Sequence, residues 1–142
     1  MTAIKIFIDT SFIIALVNDR DQYHNQALSI ADQYDSHLLV VTNAVLLEVA
    51  NALSRRYKTE AIQIIEDLLS SEDVEVVHLT PTIFNKAFDL YKNRPDKAWG
   101  LVDCISFIAM QERGISIAFT FDRHFAQAGF QILPSINDVK ID

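Results

Sequence analysis

The sequence predicts a three-layer α/β/α sandwich built on a central, mainly parallel sheet. Short runs such as Lys5-Ile6-Phe7-Ile8 and Leu38-Leu39-Val40-Val41-Thr42 are apolar at nearly every position, the pattern of strands covered on both faces. These runs alternate with longer segments of helical periodicity, so at least one helix joins each strand to the next. Such alternation implies parallel pairing through right-handed crossovers, with helices on both faces of the sheet.

The first strand, Lys5 to Ile8, carries Asp9 to its carboxyl end, followed by Thr10 and Ser11. Either hydroxyl residue can cap a short apolar helix reaching Val17, which Asn18-Asp19-Arg20-Asp21 breaks. A helix from about His24 to Tyr34 has Ala27, Leu28, Ile30, Ala31 and Tyr34 at helical spacing and ends at Asp35-Ser36. The second strand is Leu38 to Thr42. Thr42 or Asn43 then caps a helix running to about Arg56, and another follows from about Thr59 to Leu69.

Polar Ser70-Ser71-Glu72-Asp73 ends that pair before a third strand, Val74 to Leu79. Thr80-Pro81 opens the next helix, proline being suited to the first helical position. Ile83, Phe84, Ala87, Phe88 and Tyr91 share one of its faces. After the polar connection Asn93 to Lys97 comes a helix from Leu101 to Gln111 that is apolar nearly all round, and so is expected near the centre. Gly114 stops it. A strand from Ile115 to Phe119, a short helix from about Arg123 to Ala128, Gly129 and a strand from Phe130 to Leu133 complete the pattern, with Ile136 to Asp142 expected as a loosely held tail.

A chain of 142 residues suits one domain, 1–142, long enough to bury a core without staples. The single cysteine, Cys104, lies in an apolar helical pattern and reads as a buried thiol in a reducing compartment. The start, Met1-Thr2-Ala3-Ile4-Lys5, lacks the features of a signal peptide, and no apolar run approaches the roughly 18 residues of a membrane span. A cytoplasmic protein with no membrane partner is expected. The formal net charge of -7 argues against nucleic-acid binding through a broad basic surface. Divalent cations held by some of the acids would invert the local field and let the site meet phosphate.

Four acids stand out. Asp9 and Asp122 follow apolar strands, and ligands of open α/β sheets collect at the carboxyl ends of strands. Each also suits a helix cap or an Asx turn, as does Asp103 if its helix begins one turn later. Glu48 is harder to explain as scaffold. On a 3.6-residue period it shares a face with Val45, Val49 and Ala52, and neither Arg55 nor Arg56 lies within a turn of it. Its expected partner is a metal ion or a basic residue from elsewhere in the fold. Hard divalent cations such as Mg²⁺ or Mn²⁺ take oxygen ligands from carboxylates, waters and substrate phosphates, and they promote phosphodiester hydrolysis at such crevices. Neither a histidine or cysteine cluster with zinc spacing nor a glycine-rich phosphate loop is present in the sequence.

Phe7-Ile8-Asp9-Thr10-Ser11, the helix from Thr42-Asn43 to Leu53 with Glu48 at its middle, Leu101-Val102-Asp103-Cys104, and Phe119-Thr120-Phe121-Asp122-Arg123-His124-Phe125 resemble the successive acidic motifs of PIN domains. Within that superfamily the chain is similar to VapC-type toxins of toxin-antitoxin pairs. The resemblance covers nearly the whole chain. It implies a PIN-like fold and a Mg²⁺- or Mn²⁺-dependent endoribonuclease, with Asp9, Glu48, Asp103 and Asp122 as the acidic quartet and Thr10 and Thr120 as supporting hydroxyls. It further implies an RNA substrate, a homodimer and a small cognate antitoxin.

On this reading Asp9, Asp103 and Asp122 hold the metal, and Glu48 completes the shell or orients the attacking water. Arg123, Lys92, Arg94 and Lys97 are the candidate RNA contacts, with a solvated surface as the alternative for the last three. Trp99 and Tyr91 read as core rather than as stacking platforms for bases, and His124 as part of a packing segment rather than a proton carrier. Two rivals remain. An aspartate-based phosphatase also places an aspartate after its first strand, but the second aspartate expected two residues on is here Ser11. A PIN-like module without catalysis, acting as a scaffold, would not need all four acids.

Overall fold

The structure is a computed structural model that describes residues 4–135. Five strands form one sheet in the order β3-β2-β1-β4-β5: β1 Lys5–Ile8, β2 Leu38–Thr42, β3 Val74–Val77, β4 Ile117–Phe119 and β5 Gln131–Leu133. Every pairing is parallel. Among the described residues seven helices flank the sheet: α1 Thr10–Val17, α2 His24–Gln33, α3 Asn43–Leu53, α4 Lys58–Ser70, α5 Pro81–Asn93, α6 Leu101–Glu112 and α7 His124–Gln127. The expected tail from Ile136 to Asp142 lies outside the described residues.

The chain first builds outward from β1 to β2 and β3, then crosses back through α5 and α6 to place β4 on the other side of β1. Strand order therefore reverses between β1 and β4. A crevice opens at such a switch point because the connections leave the two strand ends in opposite directions. The register sets Ile8 beside Phe119, and the Asp9 amide donates to the Phe119 carbonyl at 3.0 Å. Asp9 and Thr120 thus leave the sheet side by side.

The central strand is buried throughout its apolar part, Ile6, Phe7 and Ile8 having almost no exposure. Phe7, Phe12, Phe107, Phe119 and Phe125 are fully buried, and their rings link the sheet to α1, α6 and α7. α6 is as central as its composition predicts, with Cys104, Ile105, Ser106, Phe107, Ala109 and Met110 buried. Burial pushes the Cys104 thiol up to about 11, so it stays protonated and unreactive. Trp99 is buried as expected, its indole N–H donating to Gln127 Oε1 at 3.1 Å.

Helix boundaries follow local chemistry. Asp9, Thr42 and Thr80 stand at the N-caps of α1, α3 and α5, and the two threonines accept from the backbone N–H three residues on. α3 stops at Leu53, three residues short of the expected Arg56, where the Ser54 hydroxyl donates back to the Ala50 carbonyl. β3 ends at Val77 rather than Leu79, because the Leu79 amide turns to the Asn43 side chain instead of the sheet. On α5 only Ile83 and Ala87 of the expected face are buried. Phe84, Phe88 and Tyr91 lie one stripe over, half exposed and stacked in sequence at 6.2 and 6.4 Å between ring centroids.

Candidate active site

At the switch point lies a cleft of about 410 Å³ lined by Asp9, Thr10, Ser11, Glu48, Asp103 and Asp122, with Ile14, Gly100, Leu101 and Val102 completing its walls. All four acids singled out in the sequence meet there, delivered by β1, α3, α6 and the segment after β4. The nearest two in sequence are separated by 19 positions, Asp103 to Asp122. Only the tertiary fold brings the four together.

Asp9 is the most enclosed, at 4% exposure. Its Oδ2 accepts from the Thr120 hydroxyl at 2.7 Å, the Ser11 hydroxyl at 2.9 Å and, weakly, the Ser11 amide at 3.4 Å. Ser11 and Thr120 are themselves held: the Phe121 amide donates to Ser11 Oγ and the Asp122 amide to Thr120 Oγ1, both at 2.9 Å. One hydroxyl network therefore locks Asp9 and sets the start of the Asp122 segment. Burial raises the Asp9 carboxyl to about 7, and the negative charges of Asp103 and Asp122 push the same way against the pull of the two hydroxyls.

Asp103 occupies the first turn of α6, where its Oδ2 accepts the Gly100 amide at 3.2 Å. An acid there is favoured by the helix dipole, so the capping role and the place in the cleft coexist. Burial, then the charge of Asp122, raises its carboxyl above the ordinary range. Asp122 Oδ1 accepts the His124 amide at 2.8 Å, which joins Asp122 to the opening turn of α7.

Glu48 departs from expectation. It is exposed, and Ala52 with it, because the buried stripe of α3 runs through Val45, Val49 and Leu53 at four-residue spacing. A rotation of about one residue on the helix, roughly 100°, separates a face from its neighbour, and Val45 sits close enough in that projection to have suggested burial. Among the described residues no lysine or arginine pairs with Glu48. The Thr10 hydroxyl donates to its Oε1 at 2.5 Å.

His124 is the residue that sequence reasoning missed. Its Nδ1 lies 2.9 Å from Asp103 Oδ2 and 3.2 Å from Asp122 Oδ1. One donor atom from each of Asp103, Asp122 and His124 falls within 4.8 Å of the others, a set able to hold a metal ion. The available signal was its place two residues after Asp122 at a helix start, where an acid and an imidazole converge. Its neighbour Phe125 is fully buried as expected.

The cationic candidates lie outside this cleft. Lys92, Arg94 and Lys97 line an adjoining cleft of about 460 Å³, with Tyr91 and Trp99, that meets the acidic one at Gly100. Two of the three are engaged. Lys92 pairs with Asp89 at 3.5 Å and lies over the Phe88 ring, while Arg94 makes a two-pronged pair with Asp96 and stacks on Trp99. Lys97 makes no salt bridge among the described residues, although its charge acts on neighbouring Asp96. Arg123 follows Asp122 but does not line the acidic cleft, and its Nε is buried without a hydrogen-bond partner among the described residues.

Whether the cleft suits a divalent cation can be judged from its donors. Among the described residues no lysine or arginine pairs with any of the four acids. Burial, and after it the negative charge of the neighbouring acids, instead raises the Asp9 and Asp103 carboxyls above their ordinary range. Oxygen donors in excess of nearby positive charge are what a hard divalent ion requires, so the residues fit one.

The comparisons agree with this geometry. A sequence model of the PIN domain family matches residues 6–131. The chain is 32% identical over 125 residues to the 23S rRNA-specific endonuclease VapC20 of Mycobacterium tuberculosis, covering 88% of this chain and 95% of that protein. It superposes on the crystal structure of M. tuberculosis VapC20, a toxin described as cleaving the sarcin-ricin loop, with a TM-score of 0.79 at 31% identity, over 88% of this chain and 95% of that one. DNA-bound VapBC from Salmonella typhimurium shares the fold at a TM-score of 0.62 and 14% identity, over 91% of this chain and 96% of that one. FitAcB from Neisseria gonorrhoeae does so at 0.63 and 12%, over 89% and 95%. With the family match spanning most of the sequence and the four acids meeting in one cleft, the chain belongs to the PIN domain family.

Proposed function

We propose that this chain, acting as one domain over 1–142, is a Mg²⁺- or Mn²⁺-dependent endoribonuclease and the toxin of a toxin-antitoxin pair. The convergence of Asp9, Glu48, Asp103 and Asp122 on one cleft, with no lysine or arginine paired to them among the described residues, carries this reading. The identity to VapC20 supports RNA as the substrate class. The VapBC and FitAcB complexes that share the fold support a small protein antitoxin as partner. A cytoplasmic homodimer is part of the proposal.

In the proposed mechanism Asp9, Asp103 and Asp122 hold the cation. A bound divalent ion would neutralise the phosphate and stabilise charge developing on the oxygens of the in-line displacement. Ser11 and Thr120 keep Asp9 Oδ2 occupied by hydrogen bonds, which fixes the orientation of the carboxylate toward the cleft. Glu48, at the exposed rim and held by Thr10, is placed to accept a proton from an attacking water. Lys97, with Lys92 and Arg94 beside it, follows the phosphates leaving the cleft past Gly100. Arg123, next to Asp122 in sequence but outside the cleft lining, is the further candidate for a phosphate contact.

The test is cleavage of a structured RNA pool by purified protein in Mn²⁺, Mg²⁺ or EDTA, with Asp9→Asn alongside. Metal-dependent cutting that disappears in the variant is expected. Cutting that survives in EDTA, or in folded Asp9→Asn, would remove the metal-nuclease reading. Absence of both cutting and metal binding in the wild type would favour a silent scaffold instead.

A further inference from the structure

We infer that His124 is a direct ligand, through Nδ1, of the ion held by Asp103 and Asp122, and that this nitrogen makes the site prefer Mn²⁺ to Mg²⁺. The inference rests on the metal-dependent reading above and specifies its ligand set. The observation behind it is the spacing of three donor atoms. Nδ1 is 2.9 Å from Asp103 Oδ2 and 3.2 Å from Asp122 Oδ1. Two ligands on adjacent corners of an octahedron with bonds of about 2.1 Å stand about 3 Å apart. The imidazole nitrogen and each carboxylate oxygen are therefore already at the separation that a shared ion imposes.

The imidazole is held in this position from both ends. The His124 amide donates to Asp122 Oδ1 at 2.8 Å, so the backbone at this point is tied to a proposed ligand. The next residue, Phe125, is fully buried, with its ring 4.9 Å from Phe107 and 6.1 Å from Phe7. α7 cannot turn without moving that ring out of the core. No other histidine of the described residues belongs to the donor cluster.

The chemical consequence is selectivity. Carboxylate and water oxygens suit Mg²⁺ and Mn²⁺ alike, whereas imidazole nitrogen suits first-row transition ions and is a poor ligand for Mg²⁺. A site of carboxylates alone would discriminate weakly between the two. A coordinating Nδ1 beside the carboxylates therefore adds to Mn²⁺ binding and contributes little to Mg²⁺ binding. The alternative is a positioning role, in which the imidazole only holds the two carboxylates by hydrogen bonds. Its loss would then weaken both ions together.

Two readouts independent of cleavage decide the matter. The first is electron spin-echo modulation of the protein loaded with substoichiometric Mn²⁺, which detects a directly bonded imidazole ¹⁴N. The wild type and His78→Gln, a control at an exposed histidine, should show it, and His124→Gln should not. The second is calorimetric titration with each ion. His124→Gln should lose on the order of tenfold in Mn²⁺ affinity and much less in Mg²⁺ affinity, with His124→Asn giving the same ratio should the glutamine variant fold poorly. Mn²⁺ binding without ¹⁴N modulation in the wild type, or equal loss of both ions in the variants, would overturn the inference while leaving the metal site standing. Failure of the wild type to bind either ion would overturn both.

Discussion

Asp9 and Glu48 line the same cleft, yet the fold treats them in opposite ways. Asp9 is buried at the end of the central strand, with two hydroxyls and an amide on a single oxygen. Glu48 stands exposed on α3 with one bond, from Thr10. A buried carboxylate amid like charge costs folding free energy in the absence of a counterion, and Asp9 retains its place because Ser11 and Thr120 offset part of that cost. An exposed glutamate costs little and can move. One acid is therefore built for fixed geometry, and the other for adjusting to a substrate or a water.

The largest predicted effect tests that contrast through activity. Losing several kcal/mol of charge stabilisation at Asp9 should lower cleavage by about a hundredfold to a thousandfold in Asp9→Asn. Glu48→Gln should lose about tenfold, below the usual range for a fixed general base, with an unchanged melting temperature. Steady-state cleavage of one RNA by both variants gives the comparison. Equal losses would mean that the role of Glu48 is no more adaptable than that of Asp9 and would erase the distinction.

Stability sharpens it next. Thr120→Val removes the donor at 2.7 Å from Asp9 and leaves the Asp122 amide unpaired, which should destabilise the protein by about 2–3 kcal/mol. Thr10→Val, which releases only an exposed carboxylate, should cost less than about 1 kcal/mol. Urea unfolding of both variants measures the difference. A Thr120→Val protein as stable as Thr10→Val would show that the hydroxyl network does not support Asp9.

The dependence on pH carries a definite sign. The folded-state value for Asp9, about 7, lies above the ordinary 3.8, so between these values the native protein holds a proton that the unfolded chain has lost. The stabilisation from this proton is complete below about pH 4 and falls away as pH rises toward 7. In EDTA, the melting temperature of Asp9→Asn should therefore rise relative to the wild type between about pH 4 and pH 7 and level off above that. Saturating Mn²⁺ should narrow the gap by stabilising the ionised wild type. Thermal melts across that range, with and without the ion, check both; a gap independent of pH would remove the burial of Asp9 as its cause.

The smallest effect concerns the neighbouring cleft. Lys97→Gln should weaken RNA binding several-fold across unrelated sequences and reduce the slope of log affinity against log salt by about 0.7. Arg94→Gln should change it less, because Arg94 is already paired with Asp96 and stacked on Trp99. Filter binding over a salt series separates the two. An unaltered slope for Lys97→Gln would reduce that lysine to solvated surface.

Much of this arrangement was legible in the sequence, and the exceptions have physical causes. Asp9 and Asp122 could be picked out because each follows an apolar strand, and Asp103 because a carboxylate is costly inside an apolar helical run. Glu48 was picked out for a mistaken reason. The periodicity of α3 shows an apolar stripe but not its edges, and Glu48 lies just beyond the edge. The same uncertainty of one stripe grouped Phe84, Phe88 and Tyr91 with Ile83 and Ala87 on one face of α5 and read Tyr91 as core, when only Ile83 and Ala87 of that face are buried. His124 went unassigned because its partner Asp103 is 21 positions away, on another helix.

What the sequence determined by itself is the alternation of buried strands with helices, the central place of α6, and the delivery of carboxylates to strand ends and helix starts. These follow from side-chain periodicity and capping, which are properties of a few consecutive residues. Only the tertiary structure decided that β4 lies beside β1, that Thr120 therefore reaches Asp9 across 111 positions, and that His124 enters the acid cluster. Such meetings depend on strand order and on the rotation of each helix about its axis, and both are set by how the whole core packs.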